Sequence, residues 1–388
     1  MPNNTNLAVG LEAWGWDDLW AAEFAPFAGG ELWPARVIAQ HRGAWVVVSE
    51  HGETTASPTG RLRHRSAVGG LPTVGDWVAC VNSASDGKDP AGNDPAGRDK
   101  IDALLPRRSV VQRRAAGGRV RSQIVAGNVD VLFVATSFNG DLNPRRLERY
   151  VVMARESGTE PVVLLTKADL AAASVGGRDA DADAADVAGL AARLESELRV
   201  PVVAISSRSG HGIDALQRWF APGKTLALVG SSGVGKSTLL NLLAGEELMV
   251  TRDIREDDGR GRHTTTHREL FRLPGGALLL DTPGMRELGL WDADDGVDET
   301  FAEIVELALS CRFADCSHAF EPGCAILAAV AAGELDGSRL TSYRGLTREL
   351  ADQHPTAERR AKERRFNKAT RNASAEAADR RTNRGSER

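Results

Sequence analysis

The sequence predicts an α/β protein whose mainly parallel sheet follows a small β-barrel and precedes a helical, metal-binding segment. Three patterns carry that expectation. Short alternating apolar runs, punctuated by Gly, Pro and Asp, fill residues 33–116. Apolar strands then alternate with helical stretches over 117–298. Three of the four cysteines crowd between 311 and 324.

Taken in order, residues 1–32 form a helical extension in which Trp16, Trp20, Phe24 and Phe27 recur at near-helical spacing, a face suited to packing on the next module. The runs ARVIAQ, AWVVVSE, GRLRH, GDWVACV, KIDALLP and SVVQRR read as strands, and five or so short strands in some 80 residues suit an OB-fold-like barrel. Cys80 lies inside one of them as a small core residue. The polar loop Ser83–Asp99, with DPAG repeated, and the low-complexity insertion 176–186 carry no visible chemistry. VDVLFVATS, PVVLLTK, PVVAISS, TLALVG and ALLLD supply the sheet strands of the α/β region, and RRLERYVVMARESG and STLLNLLAG supply helices. From 299 to 388 the chain reads as helical, with a basic C-terminal tail.

Composition narrows the class. The chain has 388 residues, 42% apolar and 26% charged, enough for two or three cores. No apolar run approaches the length of a membrane span. The N-terminus lacks a basic region followed by an apolar one, and four cysteines make no disulfide framework, so a reducing cytoplasm is expected. Net charge is −5, yet residues 356–388 carry 11 Lys/Arg against 5 Asp/Glu, +6 on an acidic body. Such asymmetry points to a polyanionic partner.

Gly230-Ser231-Ser232-Gly233-Val234-Gly235-Lys236-Ser237 matches G-x-x-x-x-G-K-[ST] between an apolar strand and an apolar helix, the context of a P-loop, and Thr238 completes the nucleotide-binding set. Glycines let successive N–H groups face phosphate oxygens, Lys236 reaches the β- and γ-phosphates, and the Ser237 hydroxyl coordinates Mg²⁺. Forty-five residues beyond Lys236, Asp281-Thr282-Pro283-Gly284 ends an apolar strand. Asp281 there holds Mg²⁺ through water, and the Gly284 N–H meets the γ-phosphate. Between them GRGRHTTTH offers Thr264, Thr265 and Thr266 as switch hydroxyls, with Thr265 favoured over Thr266 for the metal.

Thr166-Lys167-Ala168-Asp169 ends one strand and Ser206-Ser207 another, which resembles the guanine-reading pair of GTPases. Asp169 accepts from guanine N1–H and N2–H₂, which adenine cannot offer, a discrimination of about 10⁴-fold. Lys167 lies along the base, and the Ser206/Ser207 backbone meets O6. Thr166 stands where Asn is commoner, at the expense of the amide's bridging hydrogen bonds. In conventional GTPases these motifs follow the P-loop. Here they precede it, so the same sheet requires a circular permutation, with the old termini fused near 210–225.

Cys311, Cys316, His318 and Cys324 form C-x₄-C-x-H-x₅-C, three thiolates and an imidazole suited to one structural Zn²⁺. The helices after it end in TAERRAKERRFNKATRNA, read either as a solvated face or as an RNA-phosphate footprint. Arg61, Arg63, His64, Arg65, Arg107, Arg108, Arg113 and Arg114 add basic stretches on the barrel.

With LPRRSVVQR, NPRRLERYVVMARESG, GSSGVGKSTLLN, GRGRHTTTHREL, DTPGMRELGL and the zinc spacing assembled in permuted order, the chain resembles the RsgA (YjeQ) family of small ribosomal subunit biogenesis GTPases over nearly its whole length. The resemblance implies Mg²⁺-dependent GTP hydrolysis stimulated by the small subunit late in its maturation, with barrel and zinc domain docked on rRNA. It implies no membrane or DNA partner, and a monomer is expected. Met285 follows DTPG where many GTPases carry a water-orienting Gln, and the resemblance gives that role to His263; a solvated histidine is the plainer reading. The expected architecture is α/β: a circularly permuted P-loop GTPase domain with an N-terminal OB-like barrel and a C-terminal helical zinc-binding domain. Two rivals stand beside it: an ATP-using phosphotransferase, which Asp169 opposes, and an RNA-binding module in which GTP only regulates affinity.

Overall fold

A nine-residue strand with one arginine among apolar residues, β1 (Trp33–His41), organises the first half of the molecule. The computed structural model describes residues 10–41, 43–65, 70–82, 99–114, 122–138, 142–170, 180–231, 233–244, 268–281 and 294–353. They divide between two compact units, 1–289 and 290–388.

In the first unit β1 pairs antiparallel with β2 (Ala44–Ser49), and β2 with β3 (Gly52–Pro58). β3 runs parallel to β5 (Asp99–Leu104), which pairs with β4 (Trp77–Val81), and β4 returns to β1. That circuit closes a five-stranded barrel around Val37, Trp45, Val47, Val78 and Ile101, with the Cys80 thiol packed among them. Burial pushes that thiol far above its ordinary range, so it acts as a small apolar group.

One expected strand is a helix. GRLRH lies in α1 (Gly60–Arg65), where Thr59 Oγ1 accepts the Leu62 N–H at 3.2 Å and buried Leu62 plugs the barrel end. The missing strand is β3. Its buried residues include Ala56, which faces the barrel core, and Ser57 on the opposite face, too small and too polar to give an apolar alternation, whereas R-L-R alternates by accident. SVVQRR forms β6 (Val110–Arg114) as expected, but pairs with β7 (Ser122–Gly127) as a hairpin outside the barrel.

β1 belongs to two structures at once. Trp33–Arg36 face β4, while Ala39 and Gln40 pair with Glu269 and Arg268 of β12 (Arg268–Arg272). The barrel is therefore continuous with a second sheet. There β8 (Val131–Ser137), β9 (Glu160–Thr166), β10 (Val202–Ala204), β11 (Thr225–Gly230) and β13 (Leu278–Asp281) run parallel, in the order β10-β9-β8-β11-β13-β12, with β12 antiparallel at the barrel side. β11 enters on the opposite side of β8 from β9. The order reverses between β8 and β11, the position where open α/β sheets bind ligands beyond their carboxyl ends.

The sheet is covered by α2 (Pro144–Glu156), capped by Asn143, by α3 (Ala180–Leu198) and by α4 (Lys236–Ala244). The connection from β10 to β11 buries Leu216 and Trp219, the latter edge-on to Phe133 at 5.9 Å. The aromatic N-terminal segment is a seven-residue helix (Asp18–Phe24) between two 3₁₀ turns, and it packs on the barrel: Trp16 and Trp20 lie 4.8 and 6.0 Å from Trp77. These rings are core, not a stacking site.

Arg36 ties these parts together. Only 2% exposed, it donates to Gly75 O (3.3 Å), Asn128 O (3.4 Å), Thr225 Oγ1 (2.7 Å) and Trp14 O, and its guanidinium lies 5.4 Å from the Trp77 ring centre. Burial lowers its pKa to about 10, opposed by the charges of Asp130 and Asp76, so it stays protonated at neutral pH. Beside it, fully buried Asp76 accepts both Nε and Nη2 of Arg107 at 2.7 Å. Asn128, in a left-handed turn (φ 56°), accepts the Arg108 N–H and donates to Gly75 O.

In the second unit, Asp294–Thr300, Ala302–Ala308, Ala325–Ala332 and Gly337–Gln353 are helices. Phe301 is its centre, edge-on to Tyr343 at 5.7 Å and under the Arg339 guanidinium, which also pairs with Glu303.

Arg36→Ala removes a buried cation and strands its acceptors, a loss of about 3–5 kcal/mol in the first unit, measured by urea unfolding; a loss below 1 kcal/mol would show that these contacts do not matter. Asp17 makes two 2.7 Å bonds with Arg108, chiefly through which its pKa falls from 3.8 to about 2. Its stabilising contribution is therefore complete above about pH 4 and vanishes as pH drops through 2. Carboxyl NMR titration should find Asp17 near 2, returning toward 3.8 in Arg108→Ala.

Candidate functional site

The glycine-rich run 230–235 turns from β11 into α4 at the switch point of the sheet. Gly230 needs its glycine, since φ is 141° and a Cβ would sit 2.2 Å from Ala135 O. Gly235, at φ 106°, brings the loop against Thr166, 3.9 Å from where a Cβ would project. Lys236 opens α4, and its Nζ donates to Gly230 O (2.7 Å) and Ser231 O (2.5 Å), within its own loop. Ser237 and Thr238 are exposed in the first turn of the helix, and Val234 is buried beneath the loop. Ser232 lies outside the described residues.

Thr166 ends β9, and its Oγ1 reaches Val234 O at 2.5 Å, with Thr136 O at 3.2 Å. At the position where Asn is commoner, this one hydroxyl joins the end of the strand to the phosphate loop. Lys167 then takes a left-handed backbone, φ 59°, a strained geometry of about 1 kcal/mol that turns the chain into the 3₁₀ turn carrying Asp169.

The two base-reading motifs meet. Ser206, fully buried after β10, donates its hydroxyl to Asp169 Oδ1 at 2.7 Å. Its own N–H donates to His211 O (2.9 Å), and its Oγ accepts the Ser209 N–H (3.2 Å). Ser206 thus orients the carboxylate through its side chain, while its backbone N–H is engaged with His211 O. Sequence spacing alone showed neither the Ser206–Asp169 bond nor the Thr166–Val234 bond.

Asp281 closes β13, immediately beside β11, with its backbone in register with Glu269. His263, Thr264, Thr265, Thr266, Gly284 and Met285 fall outside the described residues, as do most of Ser83–Asp99, the first part of 176–186 and the basic tail.

In the second unit, one ligand atom each from Cys311, Cys316, His318 and Cys324 lie within 4.8 Å of one another. His318 Nδ1 is 3.6 Å from both Cys311 and Cys324 Sγ, and those two sulfurs are 3.9 Å apart. Tetrahedral zinc, with sulfur at about 2.3 Å and nitrogen at about 2.0–2.1 Å, has edges of roughly 3.5–3.8 Å. The donor set and its spacing fit that ion.

The barrel's basic stretches are partly internal. Arg107 is bound to Asp76, Arg108 to Asp17 while stacked 3.8 Å over Trp20, and Arg61 pairs with Asp102. Arg63 and His64 are exposed.

A P-loop at the switch point, a base-reading turn fixed against it, and strands in permuted chain order define a circularly permuted P-loop GTPase. The family model described as RsgA GTPase matches residues 104–291. Over 343 residues the chain is 47% identical to the small ribosomal subunit biogenesis GTPase RsgA of Opitutus terrae, covering 88% of this chain and 90% of that one. The RsgA of Streptomyces coelicolor is 44% identical over 340 residues, 87% and 86% of the two chains. Among solved structures, Thermotoga maritima YjeQ superposes with a TM-score of 0.58 at 26% identity, covering 82% of this chain and 98% of its own. YloQ, described as a circularly permuted GTPase, gives 0.55 at 25% identity, covering 84% and 98%. The chain belongs to the RsgA family and is a GTPase. Among the described residues no helix is long and apolar enough to cross a membrane.

Thr166→Val keeps the shape but removes the hydroxyl that reaches Val234. Nucleotide affinity should fall about 5- to 10-fold, the worth of one buried hydrogen bond, in a fluorescent-GDP titration; unchanged affinity would make the bond incidental.

Proposed function

We propose that this GTPase acts on the maturing small ribosomal subunit in the cytoplasm, as a monomer that binds rRNA and is stimulated by that subunit to hydrolyse GTP. The Ser206–Asp169 bond carries the guanine half of the reading, because it aims a carboxylate on a turn that Thr166 fixes to the phosphate loop. Its similarity to small ribosomal subunit biogenesis GTPases supports the ribosomal half.

In this reading Gly230, Ser231, Ser232, Gly233, Val234, Gly235, Lys236 and Thr238 hold the phosphates. Asp169 accepts from guanine N1–H and N2–H₂, Lys167 lies along the ring, and the Ser207 backbone meets O6. Ser237, Thr265 and Asp281 hold Mg²⁺, which neutralises charge on the β- and γ-phosphates when bound. Thr264, Thr266 and Gly284 form the switches. Met285 has no group to orient water, so His263 takes that task in the complex with the subunit. Cys311, Cys316, His318 and Cys324 hold structural zinc. In this reading the rRNA contacts fall on Arg61, Arg63, His64, Arg65, Arg113 and Arg114 of the barrel side and on the basic C-terminal segment, with Arg107 committed to Asp76 and Arg108 to Asp17. The domain limits proposed are 1–32 for the helical extension, 33–116 for the barrel together with the first strand of the hairpin outside it, 117–298 for the GTPase domain and 299–388 for the zinc domain.

The test is turnover of GTP by the purified chain alone and with small subunits, with ATP and large subunits as controls. Stimulation of ten-fold or more by small subunits only, largely lost in His263→Ala, is expected. Equal use of ATP would overturn the role of Asp169, and indifference to every ribosomal particle would overturn the ribosomal partner.

A further inference from the structure

We propose that Glu321, which is not itself among the metal ligands, is the positioning residue that shapes the zinc-binding loop and sets its affinity for the ion. The inference rests on the zinc reading of the Cys₃His cluster and adds to it a residue on which metal retention depends.

Glu321 Oε1 accepts the Ser317 N–H at 2.9 Å and the Ser317 hydroxyl, while Oε2 accepts the N–H groups of Ala319 (2.9 Å) and Phe320 (3.1 Å). Four donors from three residues thus converge on one carboxylate. They flank His318 on both sides, and His318 is held at φ 57°, a left-handed backbone that a side chain with a Cβ adopts at a cost of about 1–2 kcal/mol. Something must offset that cost, and the converging hydrogen bonds on either side of the residue do so. The result is a buried imidazole with Nδ1 at 3.6 Å from two sulfurs.

The backbone of the same residue organises the other ligands. The Cys324 N–H donates to Glu321 O at 3.3 Å, closing the turn Glu321-Pro322-Gly323-Cys324, with Pro at its second position and Gly323 at φ 79°, the pattern of a type II turn. A Cβ on Gly323 would approach within 3.0 Å of the Arg312 side chain, and Arg312 N–H donates to Gly323 O at 3.0 Å, stitching the segment of Cys311 to that of Cys324. Cys324 then caps the following helix. One glutamate therefore joins the Cys316–His318 arm, through its carboxylate, to the Cys311–Cys324 arm, through its carbonyl. Outer-shell groups of this kind change metal affinity by about 10–100-fold.

The experiment measures zinc content of the purified full-length chain, then zinc affinity by chelator competition, for wild type, Glu321→Ala, Glu321→Gln and the control Glu306→Gln. Helix content is followed by circular dichroism as zinc is added back. One zinc per wild-type chain, a 10–100-fold weaker Glu321→Ala that regains wild-type helix content at saturating zinc, and an intermediate Glu321→Gln, whose amide oxygen keeps only some of the acceptor sites, are expected. With cobalt substituted, the d–d absorption of Glu321→Ala should shift as the imidazole loses its fixed orientation. An affinity within two-fold of wild type would overturn the positioning role and leave the zinc site standing. Failure to regain helix content at any zinc concentration would also overturn it, showing that Glu321 supports the fold without acting through the metal. Wild type without stoichiometric zinc would instead overturn the metal reading on which the role rests.

Discussion

A single buried guanidinium holds the first unit together. Arg36 sits on a barrel strand, yet its donors reach the N-terminal segment at Trp14, the turn before β4 at Gly75, the turn before β8 at Asn128, and the first residue of β11 at Thr225. Burying a cation costs several kcal/mol, so the arrangement is tolerable only because four of its N–H groups have acceptors and two carboxylates lie nearby. β11 leads from this junction straight to the phosphate loop. The barrel and the P-loop are thus ends of one rigid path, through Arg36 at one strand terminus and Gly230 at the other.

The permuted chain order has little effect on the sheet itself. Strand neighbours are chosen by backbone hydrogen bonds and by burial of Leu226, Ala227, Leu132 and Phe133, none of which depends on which strand is synthesised first. What changes is the connectivity: the chain crosses from edge strand β10 to central β11 through a segment whose Leu216 and Trp219 join the core. Because the base-reading turn no longer follows the P-loop in sequence, their alignment relies on direct contact. Thr166 and Val234, 68 residues apart, make it with one hydroxyl.

Several of the barrel's basic side chains are paired within the molecule. The arginine pairs at 107–108 and near 61 read as a polyanion footprint, but Asp76, Asp17 and Asp102 neutralise three of these side chains within the molecule. Those partners lie 31, 91 and 41 residues away, beyond any local window. In the second unit the reverse holds. The Cys₃His cluster is local, spanning fourteen residues from Cys311 to Cys324, and its spacing alone announced it.

The sequence makes legible the phosphate loop, the TKAD and SS motifs, the Cys₃His cluster, the permuted order and a barrel followed by an α/β sheet and helices. Each of these is written in residue types at short spacings, where backbone geometry leaves few alternatives. It misplaced one barrel strand, because Ala56 and Ser57 bury without looking apolar and Leu62 between arginines imitates a strand. Folding alone reveals that the Ser206 hydroxyl bonds Asp169, that the Thr166 hydroxyl meets the phosphate loop, that Arg36 joins barrel to sheet, and that the Glu321 carboxylate gathers the N–H groups around His318. The first three are contacts between residues distant in sequence. The last is local, yet it depends on the left-handed turn at His318, which only the folded backbone displays. Spacing specifies which groups are present; the packed chain specifies which of them are already committed to one another.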